Sequence, residues 1–156
     1  MNIYEKLHKA RELVRNTKHK KDGRNDYSKY DYFTPELVEK IVAEVCEETK
    51  MIPVCNLKRN EYGLFQELTL VNLEDTKETL TFELATEKGE MKATNEAQRM
   101  GGTDTYSERY IKMKVFQIKD NNLDFDSQDN RPKTTSKPTG KPTGKPAYNT
   151  VNDLPM

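Results

Sequence analysis

Three stretches, MIPVCNL at 51–57, LFQELTLVN at 64–72 and TLTFELA at 79–85, decide the fold class. The third alternates cleanly. Leu80, Phe82 and Leu84 fall on one face and Thr79, Thr81 and Glu83 on the other, the period-two pattern of a strand wet on one side. The second alternates loosely. The first is short, and Pro53, lacking an amide N–H, places it at a sheet edge or at the strand's beginning. Tyr62-Gly63 and the polar run Glu74–Glu78 separate the three. Connections this short cannot make parallel crossovers, so the spacing predicts an antiparallel meander.

Helices flank the meander. Over residues 2–17, Ile3, Leu7, Ala10 and Val14 form one stripe with Leu13 at its border, while Glu5, Lys9 and Glu12 face away. Thr34-Pro35-Glu36 is a helix start: a capping hydroxyl, a proline suited to the first turn, and an anion at the positive helix end. That helix runs to about Glu48 and buries Leu37, Val38, Ile41, Val42 and Val45. A polar, mobile connection is expected over Lys88–Met100, then a turn at Gly101-Gly102 and a last helix over about Thr103–Ile118. Its apolar residues form two stripes, Tyr106-Tyr110-Met113 and Ile111-Val115-Ile118. One stripe suffices for a helix with a wet face, so the second suggests a neighbouring subunit. The class is α+β: helix, helix, three-stranded antiparallel meander, helix, a β-β-β-α core.

Composition sets the limits of this domain. Only 33% of the 156 residues are hydrophobic and another 33% are charged, so the core is small and part of the chain lies outside it. The domain is expected over 1–128 and a disordered tail over 129–156. In that tail Lys137-Pro138-Thr139-Gly140 is repeated as Lys141-Pro142-Thr143-Gly144. Such residues bury too little apolar surface to offset chain entropy. The tail ends in Asp153-Leu154-Pro155-Met156, an acidic-apolar tip that either docks a protein partner or stands solvated.

Several function classes are set aside. No run approaches the roughly 18–20 apolar residues of a membrane span, and no secretory leader is evident. Cys46 and Cys55 read as free buried thiols, and His8 and His19 are not at zinc-ligand spacing from them. No nucleophile elbow, phosphate loop or metalloprotease motif is present. The reading is of a protein that is not an enzyme and needs no cofactor or metal.

The zero net charge hides a pattern. Residues 1–33 carry nine Lys/Arg against five Asp/Glu, residues 34–118 eleven against sixteen, residues 119–130 one against four, and residues 131–156 five against one. Lys18, Lys20, Lys21, Arg24 and Lys29 interleave with Tyr27 and Tyr30, with a turn expected at Asp22-Gly23. Cations neutralise phosphates and rings stack on unpaired bases, so this segment is a candidate surface for single-stranded DNA. A solvated basic loop anchored by its aromatics is the competing reading. Arg109 and Lys112 extend the candidate surface onto the last helix, where an ordinary Glu108–Lys112 pair competes. Gly101-Gly102 could admit a phosphate to the helix start, against the charge of Asp104.

Two segments resemble the essential-recombination-function (Erf) family of phage single-strand annealing proteins. One is Lys21-Asp22-Gly23-Arg24-Asn25-Asp26-Tyr27-Ser28-Lys29-Tyr30 with Asp31-Tyr32-Phe33 and the helix behind it. The other is Met100-Gly101-Gly102-Thr103-Asp104-Thr105-Tyr106-Ser107-Glu108-Arg109-Tyr110, an apolar-basic helix and the acidic run Asp120–Asp126. Glu108-Arg109 stands where that family often has two arginines. The resemblance covers about 1–128. It implies a ring or filament of identical subunits that binds single-stranded DNA and anneals complementary strands without ATP, in the cytoplasm of a bacterial host. A host or phage replication or recombination protein is a further possible partner, reached through the tip. A protein-interaction adaptor working through that tip, and a plain single-strand-binding protein, are the alternatives.

Overall fold

The computed structural model describes residues 1–89 and 95–120. Helix α1 spans Ile3–Asn16, strand β1 Gly23–Asn25, β2 Tyr30–Tyr32, helix α2 Pro35–Thr49, β3 Met51–Asn60, β4 Gly63–Asn72, β5 Thr79–Thr86 and helix α3 Glu96–Phe116. β3, β4 and β5 form one antiparallel sheet in that order, so Pro53 sits on an edge strand. The three helices cover one face of it. Met51, Leu68 and Leu70 are buried there, with Leu80, Phe82 and Leu84 packed against the same core. The fold is α+β with the predicted order of helices and strands.

The helix stripes explain the layering. Ile3, Leu7, Ala10 and Val14 are buried on α1; Val38, Ile41, Val42 and Val45 are buried on α2. Asn2 caps α1 in a reciprocal capping box with Glu5, and the Thr34 hydroxyl accepts from the Leu37 amide at 3.2 Å. Lys6, on the same side as Ile3 and Ala10, is fully buried. Its ammonium reaches the Lys50 carbonyl at 3.3 Å and Glu74 at 2.8 Å. Glu78 accepts from the Ile3 amide and from the Asn72 side chain, so the β4–β5 turn clamps the start of α1.

Two sequence expectations are corrected. Helix α3 begins at Glu96, not near Thr103, and Gly101-Gly102 lie inside it. Asn95 and Gln98 form a capping box that nucleates the helix a full two turns early. The amides at Gly101-Gly102 are therefore not a free helix start. Residues 90–94 of the expected mobile connection lie outside the described residues. Likewise, Gly23 is not in a turn but pairs with Tyr32 in a β1–β2 hairpin. The turn lies at Asp26–Lys29, where the Asn25 side chain accepts from the Ser28 amide and Lys29 is left-handed at φ 58°.

One stripe of α3 is spent within the chain, and the second only in part. Ile111, Val115 and Ile118 are buried, and so is Met113 of the second stripe. Only Tyr106 of that stripe is exposed. Aliphatic surface is left uncovered on the outer face of the sheet at Ile52 and Val54, and just past β4 at Leu73. Tail residues 129–156 and residues 121–128 lie outside the described residues.

Candidate nucleic-acid interface

The β1–β2 hairpin leans on α3, and the two enclose a cleft of about 430 Å³. Arg24, Asn25, Asp26, Tyr30 and Tyr32 line it from the hairpin, and Phe33 from the approach to α2. Arg109, Tyr110 and Met113 line it from α3, and Asp120 closes one end. Gly23 makes this geometry possible. A Cβ there would sit 2.7 Å from the Tyr32 ring, so only glycine lets the ring lie flat across β1.

Arg109 is the centre of the cleft. Its guanidinium carbon lies 5.5 Å from the ring centre of Tyr32, 5.5 Å from Tyr106 and 4.8 Å from Tyr110, a three-sided tyrosine cage. One Nη donates to the Phe33 carbonyl at 3.3 Å and the other to the Tyr110 hydroxyl at 3.1 Å. Its Nε is buried with no acceptor, and among the described residues no carboxylate lies within ion-pair distance of it. A guanidinium carries five donors, so much of its hydrogen-bonding capacity is unspent. Burial pushes the Tyr110 hydroxyl up to about 12, helped by its hydrogen bond with Tyr106, so that ring stays neutral.

The other predicted cations divide sharply. Lys112, three residues on, is buried and ion-paired with Glu39 and, at 2.5 Å, with Glu108. Burial opposes its charge, but the hydrogen bonds it donates to Glu108 and Glu39 outweigh that and raise its pKa. It faces the core, not the cleft. Lys21 is ion-paired at 2.5 Å with Asp120, whose side chain is buried, and lies over the Phe33 ring. Arg24 donates to Asp31 at 2.9 Å on the hairpin's open side. Lys18, Lys20 and Lys29 are exposed, and Tyr27 at the hairpin tip is 97% exposed. Thus Arg24, Tyr30 and Arg109 share the cleft, Lys18, Lys20 and Lys29 stand near its approaches in sequence, and Lys112 is apart. The tip residues Asp153, Leu154, Pro155 and Met156 lie outside the described residues.

Sequence reasoning missed the cage. The i,i+4 pair Tyr106–Tyr110 and the period-two Tyr30-Asp31-Tyr32 were the available signals, but nothing local says that both enclose Arg109. Among the described residues no group of three or more His, Cys, Asp or Glu is placed to hold a metal, and no helix is long and apolar enough to cross a membrane. Burial pushes the thiols of Cys46 and Cys55 up to about 12, which suits packing rather than nucleophilic chemistry.

Fold and cleft together define a class: an α+β scaffold that presents a caged arginine between a basic-aromatic hairpin and a helix. The chain belongs to the ERF superfamily, whose family model matches residues 3–153. That match runs beyond residue 128 and through most of the tail. Membership places the chain among phage-type recombination and annealing proteins in general. No curated protein and no solved structure matched it.

Proposed function

We propose that this protein binds single-stranded DNA with little sequence preference and anneals complementary strands without ATP. The observation that carries the reading is Arg109, a cation held open by three rings in a cleft and unpaired with any described carboxylate. A planar guanidinium with unspent donors suits a phosphate oxygen, and the surrounding rings suit bases of any sequence. Arg24 at the cleft and Lys18, Lys20 and Lys29 on the exposed segment add further cations for the strand's phosphates. Annealing needs no covalent step: a scaffold that holds backbones by charge leaves base edges free to pair.

A homo-oligomer is part of the proposal. The motive shifts from the second stripe of α3, where Met113 is buried and Tyr110 lines the cleft, to the outer sheet face with Ile52 and Val54. Patches of this kind are usually covered in soluble proteins. The protein is expected to work in the cytoplasm of a bacterial host.

The deciding experiment mixes two complementary oligonucleotides with the full-length protein, without nucleotide, and follows duplex formation. Acceleration over the spontaneous rate supports annealing. Binding without acceleration would leave a strand-protecting protein, and no binding at all would refute the reading. Light scattering in the same buffer tests the oligomer, which a monomeric mass with and without DNA would exclude.

A further inference from the structure

A second recess lies at the far end of the sheet. It is a groove of about 700 Å³ between the β3–β4 hairpin tip, the end of β5 and Tyr106 of α3. We propose that this groove is a second binding surface for single-stranded DNA, continuous with the Arg109 cleft and gripping bases by stacking rather than phosphates by charge. The proposal rests on the single-stranded-DNA reading above and extends its footprint to residues outside the cleft.

Tyr62 is the first reason. It stands on the hairpin turn and is 89% exposed. The turn itself does not need the ring. Asn60 accepts from the Tyr62 amide at 2.9 Å, and Gly63, at φ 132°, supplies the conformation that other residues rarely adopt. A large ring held out on a tight turn, with no side-chain hydrogen bond or ring contact among the described residues, can stack on a base.

Tyr106 is the second reason. It is 57% exposed and packs against Tyr110 as a tilted pair, ring centres 4.5 Å apart and planes at 51°. Tyr110 lines the Arg109 cleft and Tyr106 lines the groove, so one aromatic pair joins the two recesses. A strand leaving the cleft over Tyr110 meets Tyr106 next and can reach Tyr62.

The two exposed rings, and no excess of charge, set the mode of grip. Arg59 on the groove wall has no carboxylate within ion-pair distance among the described residues, but Glu87 lines the same groove and Lys88 is ion-paired with Glu96. The formal charge is close to balanced in both recesses: Arg59 and Lys88 face Glu87 here, and Arg24 and Arg109 face Asp26 and Asp120 in the cleft. Stacking is tolerant of sequence and needs no net charge. A peptide ligand fits less well, because Leu64 and Ala85 are the only aliphatic side chains on the walls.

The test compares full-length wild type, Tyr62→Ala, Tyr62→Phe and Arg109→Gln by fluorescence anisotropy. Each is titrated with a short oligo-dT that fills the cleft alone and a longer one that can span both recesses, at several salt concentrations. Tyr62→Ala should weaken binding of the longer strand about five-fold or more, the loss of one base stacked on a ring. Its salt slope should match wild type, and the short strand should bind as before. Tyr62→Phe should bind like wild type, since the ring and not the hydroxyl makes the interaction. Tyr62→Ala binding the longer strand as wild type does, or Tyr62→Phe binding as poorly as Tyr62→Ala, overturns the proposal. If Arg109→Gln still loses binding in that case, the function proposed above survives and only the second binding surface falls. If wild type binds neither strand, both fall together.

Discussion

Arg109 and Lys112 stand three residues apart on one helix, and replacing them should have opposite consequences. Lys112→Met keeps most of the aliphatic stem in the core but removes the ammonium between Glu39 and Glu108. Removing one partner of a fully buried pair costs about 3–5 kcal/mol, because an uncompensated charge is left behind. Here the two carboxylates reach water, with side chains 58% and 36% exposed, so they are rehydrated rather than stranded. The loss is then closer to that of one charge-assisted hydrogen bond, about 1–2 kcal/mol after solvent screening. In a domain of this size that lowers Tm by about 4–8 °C. Single-stranded-DNA affinity, measured well below the melting range, should be unchanged. Arg109→Gln gives the reverse. It removes hydrogen bonds to the Phe33 carbonyl and the Tyr110 hydroxyl on a half-buried side chain, about 1 kcal/mol of stability. It should also weaken DNA binding and flatten the plot of log affinity against log salt by about 0.7 for each phosphate that is no longer neutralised. Thermal melting and anisotropy titrations on the two variants read both quantities. Lys112→Met that melts like wild type but fails to bind DNA would refute the division drawn between the two cations. So would Arg109→Gln that loses stability alone.

Gly23→Ala should cost about 1–3 kcal/mol through overpacking against the Tyr32 ring and should weaken DNA binding with it, because that ring is one wall of the arginine cage; adding Tyr32→Ala should recover the stability and not the binding, and unchanged melting in Gly23→Ala would show that the ring is not held there. Gly101→Ala should raise stability by about 1 kcal/mol, since the new methyl meets nothing within 4 Å and glycine is costly inside a helix; a loss of stability would mean that α3 does not run through this position. Cys46, buried, and Cys55, partly buried, with pKa pushed up to about 12, should react with a thiolate-directed reagent at pH 8 about a thousand-fold more slowly in the native protein than in denaturant, and native labelling at the unfolded rate would disprove the raised pKa values. The same shift has a definite sign for stability: a neutral buried thiol contributes fully below the unfolded pKa near 9, and the contribution is lost as pH rises from about 9 toward 12, which denaturant titrations across that range can follow.

Periodicity alone carried the meander and the stripes of α1 and α2. Leu80, Phe82 and Leu84 turn inward and Ile3, Leu7, Ala10 and Val14 are buried because a strand repeats every two residues and a helix every 3.6, whatever lies opposite. The cap at Thr34 was equally local. The start of α3 was legible in principle from Asn95 and Gln98, yet the glycine pair masked it, because tertiary packing of Ile111, Val115 and Phe116 offsets what two glycines cost the helix. The roles of the cations were not local at all. Sequence put Arg109 and Lys112 on one helix with equal claims. Tertiary structure turned one into a cage formed by Tyr32, from seventy-odd residues away, and by its own helix neighbours, and the other onto Glu39 of α2. Lys6 makes the same point, buried only because the β4–β5 turn brings Glu74 to its end. A side chain's period fixes which way it faces; whether a charge facing that way meets a carboxylate, a ring or water depends on segments that only the folded chain brings together.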